Sequence, residues 1–107
     1  MTNFNDREKA FENQFAREEE LAFRITARRN RLLGEWAADK MGLTIEERQA
    51  YAKSVVQADF EEAGDEDVVR KVLGDMTGAG VDVDDAAVRT AMADLLIEAR
   101  RQYIGEA

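Results

Sequence analysis

Apolar residues recur along this chain at helical spacing and never with the two-residue alternation of a strand. Phe4, Phe11 and Phe15 fall at i, i+7 and i+11, which places all three on one face of a helix. Ala22, Ile25, Leu32, Leu33 and Trp36 carry the pattern on. Asn5 followed by Glu8 has the form of a capping box and predicts a start near Asp6. Gly42, just past Met41, predicts the stop. Between the two apolar sets lie Arg17, Glu18, Glu19 and Glu20, an apolar-free joint at which the helix is expected to fray or bend.

Three further helices follow. Thr44 and Glu47 form a capping box for a second helix running to about Ala63, with Ala52, Val55, Val56, Phe60 and Ala63 on its stripe. Gly64 ends it. Asp65 is read as the cap of a third helix carrying Val68, Val69, Val72, Leu73 and Met76, stopped by Gly78 and Gly80. Asp84, in preference to Asp82, caps a fourth with Val88, Ala91, Met92, Leu95, Leu96, Ala99 and Tyr103 inward. The expected fold is all-α, a four-helix bundle. Its first helix, near ~50 Å if unbroken, outruns partners of ~30 Å. The first part of that helix therefore protrudes or is partly disordered. Its three phenylalanines lack a home in the bundle, which marks a docking surface unless the arm folds back and buries Phe11 and Phe15.

Composition supports this and narrows the chemistry. The 107 residues include no proline, so nothing but caps obliges a helix to stop. No cysteine and no histidine are present, which removes disulfides, thiolate metal sites and the usual catalytic nucleophiles and proton shuttles. No metal site, cofactor or enzymatic activity is expected. No apolar run suits a membrane span, so direct membrane insertion is not expected and an intracellular, soluble chain is. The net charge of −8 argues against nucleic-acid binding. It is unevenly spread: residues 1–31 hold six acids and seven bases, so the remainder carries −9.

Arg24, Arg28, Arg29 and Arg31 are the one basic cluster. The preferred reading is a solvated face, with Glu20 and Arg24 paired at i, i+4. The alternative is a nucleotide phosphate site for ATP or ADP, because guanidinium forks suit phosphate. Trp36 reads as core. Asp82, Asp84 and Asp85 lack the spacing of a calcium loop and read as caps. Gly78 and Gly80 follow no strand and form no phosphate-binding fingerprint.

The run Arg28-Arg29-Asn30-Arg31-Leu32-Leu33-Gly34-Glu35-Trp36-Ala37-Ala38, with Phe4, Asp6, Arg7, Phe11 and Phe15 ahead of it, resembles the zeta-subunit family of alpha-proteobacterial F-type ATP synthase inhibitors. The likeness covers essentially the whole chain, including Leu95 to Arg101. Ala10-Phe11, Glu18-Glu19-Glu20 and Phe23-Arg24 also look in register with the inhibitory segment of the mitochondrial ATPase inhibitor protein. The resemblance implies a regulatory inhibitor of the F1FO-ATPase divided into an inhibitory arm, residues 1–20, and a bundle, residues 21–107. The arm would enter an interface between alpha and beta subunits of the F1 sector and reach the gamma subunit of the central stalk. Such a protein would be cytoplasmic and peripheral to the inner membrane through F1. Phe4, Phe11 and Phe15 would anchor it, and Asp6, Arg7, Lys9, Arg17, Glu18, Glu19 and Glu20 would set register through charge pairs. Weak ATP or ADP binding by the bundle is a further implication of the family.

Overall fold

A computed structural model describes the backbone of residues 2–62 and 64–104, and the side chains of those from residue 16 onward. The described residues form four helices: α1 (Thr2–Met41), α2 (Ile45–Glu61), α3 (Asp65–Gly78) and α4 (Asp85–Ile104). No strand occurs among the described residues. The molecule measures 66 × 31 × 26 Å. The long dimension belongs to α1, whose 40 residues rise ~60 Å, against ~25–30 Å for α2 and α4.

α1 packs most extensively against α2 and then against α4. Both neighbours run antiparallel to it. Asp39, Gly34, Asn30 and Phe23 of α1 meet Arg48, Ala52, Asp59 and Phe60 of α2 in turn. On the other side, Trp36 and Lys40 lie beside Asp84 and Ala87, whereas Leu21 and Ile25 lie beside Leu96 and Arg100. The shared core is Leu33 and Ala37 of α1, Val55 of α2, Val68, Val69, Val72 and Met76 of α3, and Val88 and Met92 of α4. Full burial of a valine, leucine or methionine side chain stabilises the fold by ~1.5–3 kcal/mol. Trp36 packs against this core half-buried, with the Lys40 ammonium 5.6 Å from its ring centroid.

Several ends fall where the residues predict. Thr44 and Glu47 complete a reciprocal capping box, the Glu47 amide donating to Thr44 Oγ1 and the Thr44 amide to Glu47 Oε1. Asp84 Oδ1 accepts from the Ala87 amide at 2.8 Å and caps α4. Past α1, Gly42 takes φ 72° while the amides of Gly42 and Leu43 reach back to the carbonyls of Asp39 and Ala38. That paired return is the Schellman arrangement, which needs a residue at ease with positive φ.

Other expectations are corrected. α1 begins at Thr2, not near Asp6, so Asn5 and Glu8 lie within the helix. Nothing upstream of Asp6 is a helix breaker, and the helix propagates through it. The stretch Arg17–Glu20 is no joint, because α1 runs through it unbroken. Glutamate and arginine are good helix formers, and the Glu20–Arg24 ion pair at 2.7 Å spans one turn there. α2 ends at Glu61, short of Ala63, which lies outside the described residues. Asp65 does not cap α3. Gly64, at φ 131°, holds the cap position without a side-chain bond, and Asp65 is the first helical residue. Its carboxylate is engaged instead by Arg29. Phe60 and Tyr103, expected inward, are exposed, because each stands near a helix end beyond the shared core.

Two features of α1 escaped the periodic reading. Gly34 is buried against α2 so closely that a Cβ there would sit 2.6 Å from the Ala52 Cα. With Ala37, Ala38 and Ala52, it lets the two backbones approach. Arg29 and Asn30 are also buried, at 5% and 0% exposure. Asn30 Oδ1 accepts from Arg29 Nε and Nη2 at 3.1 and 2.9 Å, and Asn30 Nδ2 donates to Asp59 Oδ2 at 3.1 Å. Arg29 Nη2 also donates to Asp65 Oδ1 at 2.8 Å. This node ties α1 to both sides of the α2–α3 turn.

Candidate docking surface on the first helix

The described part of the protruding segment is residues 16–24, and every one of them is exposed. Among the described side chains of α1, burial starts at Ile25. Arg17, Glu18, Glu19 and Glu20 therefore stand on a continuous helix at the edge of the bundle. Of these, Glu20 is paired with Arg24, and Glu18 faces a groove of about 440 Å³ that also takes in Leu21, Ala22, Ile25, Leu96 and Arg100. The side chains of Phe4, Asp6, Arg7, Lys9, Phe11 and Phe15 lie outside the described residues.

The four arginines do not converge on one point. Arg24 pairs with Glu20, as expected. Arg28 Nε donates to Gln102 Oε1 at 2.6 Å, and Arg31 stands 3.8 Å from Glu35. Arg29 is not on a solvated face at all, being committed to Asn30 and Asp65. Ile25, Arg29, Leu33 and Trp36 share the spacing of one helical stripe, and that spacing, not residue type, was the signal for its burial.

Large apolar side chains gather where α1 leaves the bundle. Phe23 is 54% exposed and packs its ring 5.2 Å from that of Phe60, itself 62% exposed, at an interplanar angle of 58°. On the α4 side stand Leu21, Tyr103 and Ile104, the last 60% exposed. Sequence reasoning placed no functional residue at Phe60 or Ile104, and reached Phe23 only through its likeness to the mitochondrial inhibitory segment.

Burial, then donation to the Asp75 carboxylate at 2.8 Å, pushes the Tyr51 hydroxyl far above its ordinary value. Bonds from Arg89 and Arg101 hold Glu66 and Glu98 below the usual carboxylate range. No group of three or more potential metal ligands occurs among the described residues. None of their helices is long and apolar enough to cross a membrane.

A family model described as ATPase inhibitor subunit zeta matches residues 1–102. Among solved structures, a protein determined by solution NMR is similar with a TM-score of 0.68 and 47% sequence identity, covering 79% of this chain and 96% of that one. No curated protein matches.

Proposed function

The chain belongs to the ATPase inhibitor subunit zeta family, and on that premise we propose that it is a non-enzymatic regulator that stops ATP hydrolysis through its protruding first helix. Residues 1–20 form the inhibitory arm and residues 21–107 the bundle that carries it. The arm inserts at an alpha/beta catalytic interface of the F1 sector, near the gamma subunit, and blocks rotation in the hydrolytic direction. The protein works in the cytoplasm, held at the inner membrane through F1.

One observation carries this reading. α1 is a single helix about twice as long as the elements beside it, and residues 16–24 at the edge of the bundle are all exposed. Phe4, Phe11 and Phe15 share one helical face by their spacing, and an apolar helix face of that kind suits a partner's groove. Arg17 and Glu18 to Glu20 would steer association and fix register more than they add affinity. The nucleotide-sensor reading draws no support from the four arginines, each of which is engaged within the chain.

The test is the ATPase rate of isolated F1 with the full chain and with a chain lacking residues 1–19. Deletion should abolish inhibition while the melting transition persists, and equal inhibition by the truncated chain refutes the proposal. Phe11→Ala and Phe15→Ala should each weaken inhibition by ~1–3 kcal/mol with little change in melting temperature. A large loss of melting temperature would instead place these rings in the core.

A further inference from the structure

We infer that the contact with the ATPase does not end with the arm: Leu21 and Phe23 of α1, Phe60 of α2 and Ile104 of α4 form an apolar collar that seats against the surface around the arm's entry point. This rests on the docking reading of the arm. Single exposed apolar residues are ordinary on a protein surface. Here large ones from three helices lie at one end of the bundle, the end where α1 leaves it, and two of them, Phe23 and Phe60, pack ring to ring. The antiparallel register of α2 and α4 brings them there. Phe60 lies against Phe23 on one flank, and Ile104 stands one turn beyond Arg100, which faces Leu21, on the other.

The continuity of α1 says what covers the collar. No break separates Phe23 from the arm, so the collar is held at a fixed distance and rotation from it. Phe15 and Phe23 are eight residues apart, which is ~12 Å along the axis. A partner that encloses the arm to Phe15 must present its rim within about that distance of the Phe23–Phe60 pair. The matching rim would be apolar, with cationic side chains opposite Glu18, Glu19 and Glu20 and an acidic one opposite Arg100. Aromatic and aliphatic anchors inside a polar rim are the usual anatomy of a protein–protein interface.

The test uses full-length Phe60→Lys, Ile104→Lys and the double variant in the F1 ATPase assay, beside the chain lacking residues 1–19. All three side chains replaced or paired are more than half exposed, so the variants should melt within a few degrees of the parent. The half-inhibitory concentration should rise about tenfold for the double variant, the scale of losing one well-packed anchor. Inhibition within twofold of the parent overturns the collar. If the truncated chain is inactive while the lysine variants inhibit normally, the collar fails and the arm stands. If the truncated chain still inhibits, the arm reading itself fails. Sedimentation of the free chain separates the other occupant. A parent dimer that the lysines dissociate, with inhibition following the dimer, makes the collar a self-association face and overturns the proposal.

Discussion

Replacing Asn30 by leucine probes the polar node on which α1 depends. The side chains are similar in size, so Asn30→Leu opens no cavity of note, but it removes the acceptor of two Arg29 N–H groups and the donor to Asp59. Hydrogen bonds to charged groups contribute ~1.5–3 kcal/mol each, and a buried charge left short of partners raises the cost. Arg29 keeps Asp65, and Asp59 is only half-buried and still faces the Gly64 amide, so the full sum does not apply. Burying the leucine returns part of the loss. The net destabilisation is ~2–4 kcal/mol, a large share of the ~5–15 kcal/mol that holds a domain folded. For a chain of this length that lowers the melting temperature by about 10–20 °C.

Circular dichroism melts of the parent, Asn30→Leu, Arg29→Met and the double variant measure it. The double variant should be less destabilised than the two singles added together, because it leaves no buried guanidinium without its acceptor. Asp65→Asn should cost under ~1 kcal/mol, since that carboxylate is 62% exposed. A fall of less than about 4 °C for Asn30→Leu, or strict additivity in the cycle, refutes the node as an energetic unit.

Gly34→Ala should lower the melting temperature although alanine is the better helix former by ~1 kcal/mol, because its Cβ would strike the Ala52 backbone and overpacking costs ~1–3 kcal/mol. A rise would mean the helices separate at no cost. The carboxylates of Glu47, Glu66 and Glu98 are held below the ordinary 4.5, chiefly by the Thr44 amide, Arg89 and Arg101 in turn. Groups with depressed folded values contribute stability above the unfolded value and lose it as pH falls through the folded one. With no histidine in the chain, melting temperature should stay level from about pH 8 to 5.5 and drop below about 4.5. A transition near pH 6.5 would refute this. Glu19→Pro should kink α1 outside the core, leave the melting transition in place and weaken inhibition tenfold or more. Unchanged inhibition would show that arm and bundle need not be one rigid element.

What was legible in the sequence follows from which interactions are local. Thr44 with Glu47, Asp84 and Gly42 make or permit bonds that span only three to five residues, so the local chain contains the whole interaction. Asp65 has the chemistry of a cap, but Arg29, 36 residues earlier, claims its carboxylate, and no local rule carries that information. Residue type assigns Arg29 to a solvated face or a phosphate site and gives Asn30 no role, although the interval from Ile25 to Leu33 places Arg29 on the inward stripe. Gly34 reads as a weak helix residue until Ala52 is seen opposite it. Phe60 and Tyr103 mislead in the reverse sense. Apolar periodicity reports which face of a helix is greasy, and cannot report whether another helix is there to cover it.

The same distinction between local and distant terms explains how α1 crosses its polar stretch. An isolated helix must first form an unfavourable nucleus, a cost of ~4 kcal/mol at an initiation constant near 10⁻³, and short helices in water seldom recover it. Here the nucleus already exists. Leu33, Ala37 and the Arg29–Asn30 node fix the C-terminal half of α1 within the bundle. Extension toward the arm adds one hydrogen bond per residue fixed, at close to no net cost for glutamate, arginine and alanine. A sequence without a single core residue from Arg17 to Glu20 can therefore remain helical, because the bundle behind it has already met the cost of starting. The stability of the bundle and the shape of the arm are in this way coupled through one helix. Weakening the buried node should loosen the docking element without touching any residue on its surface.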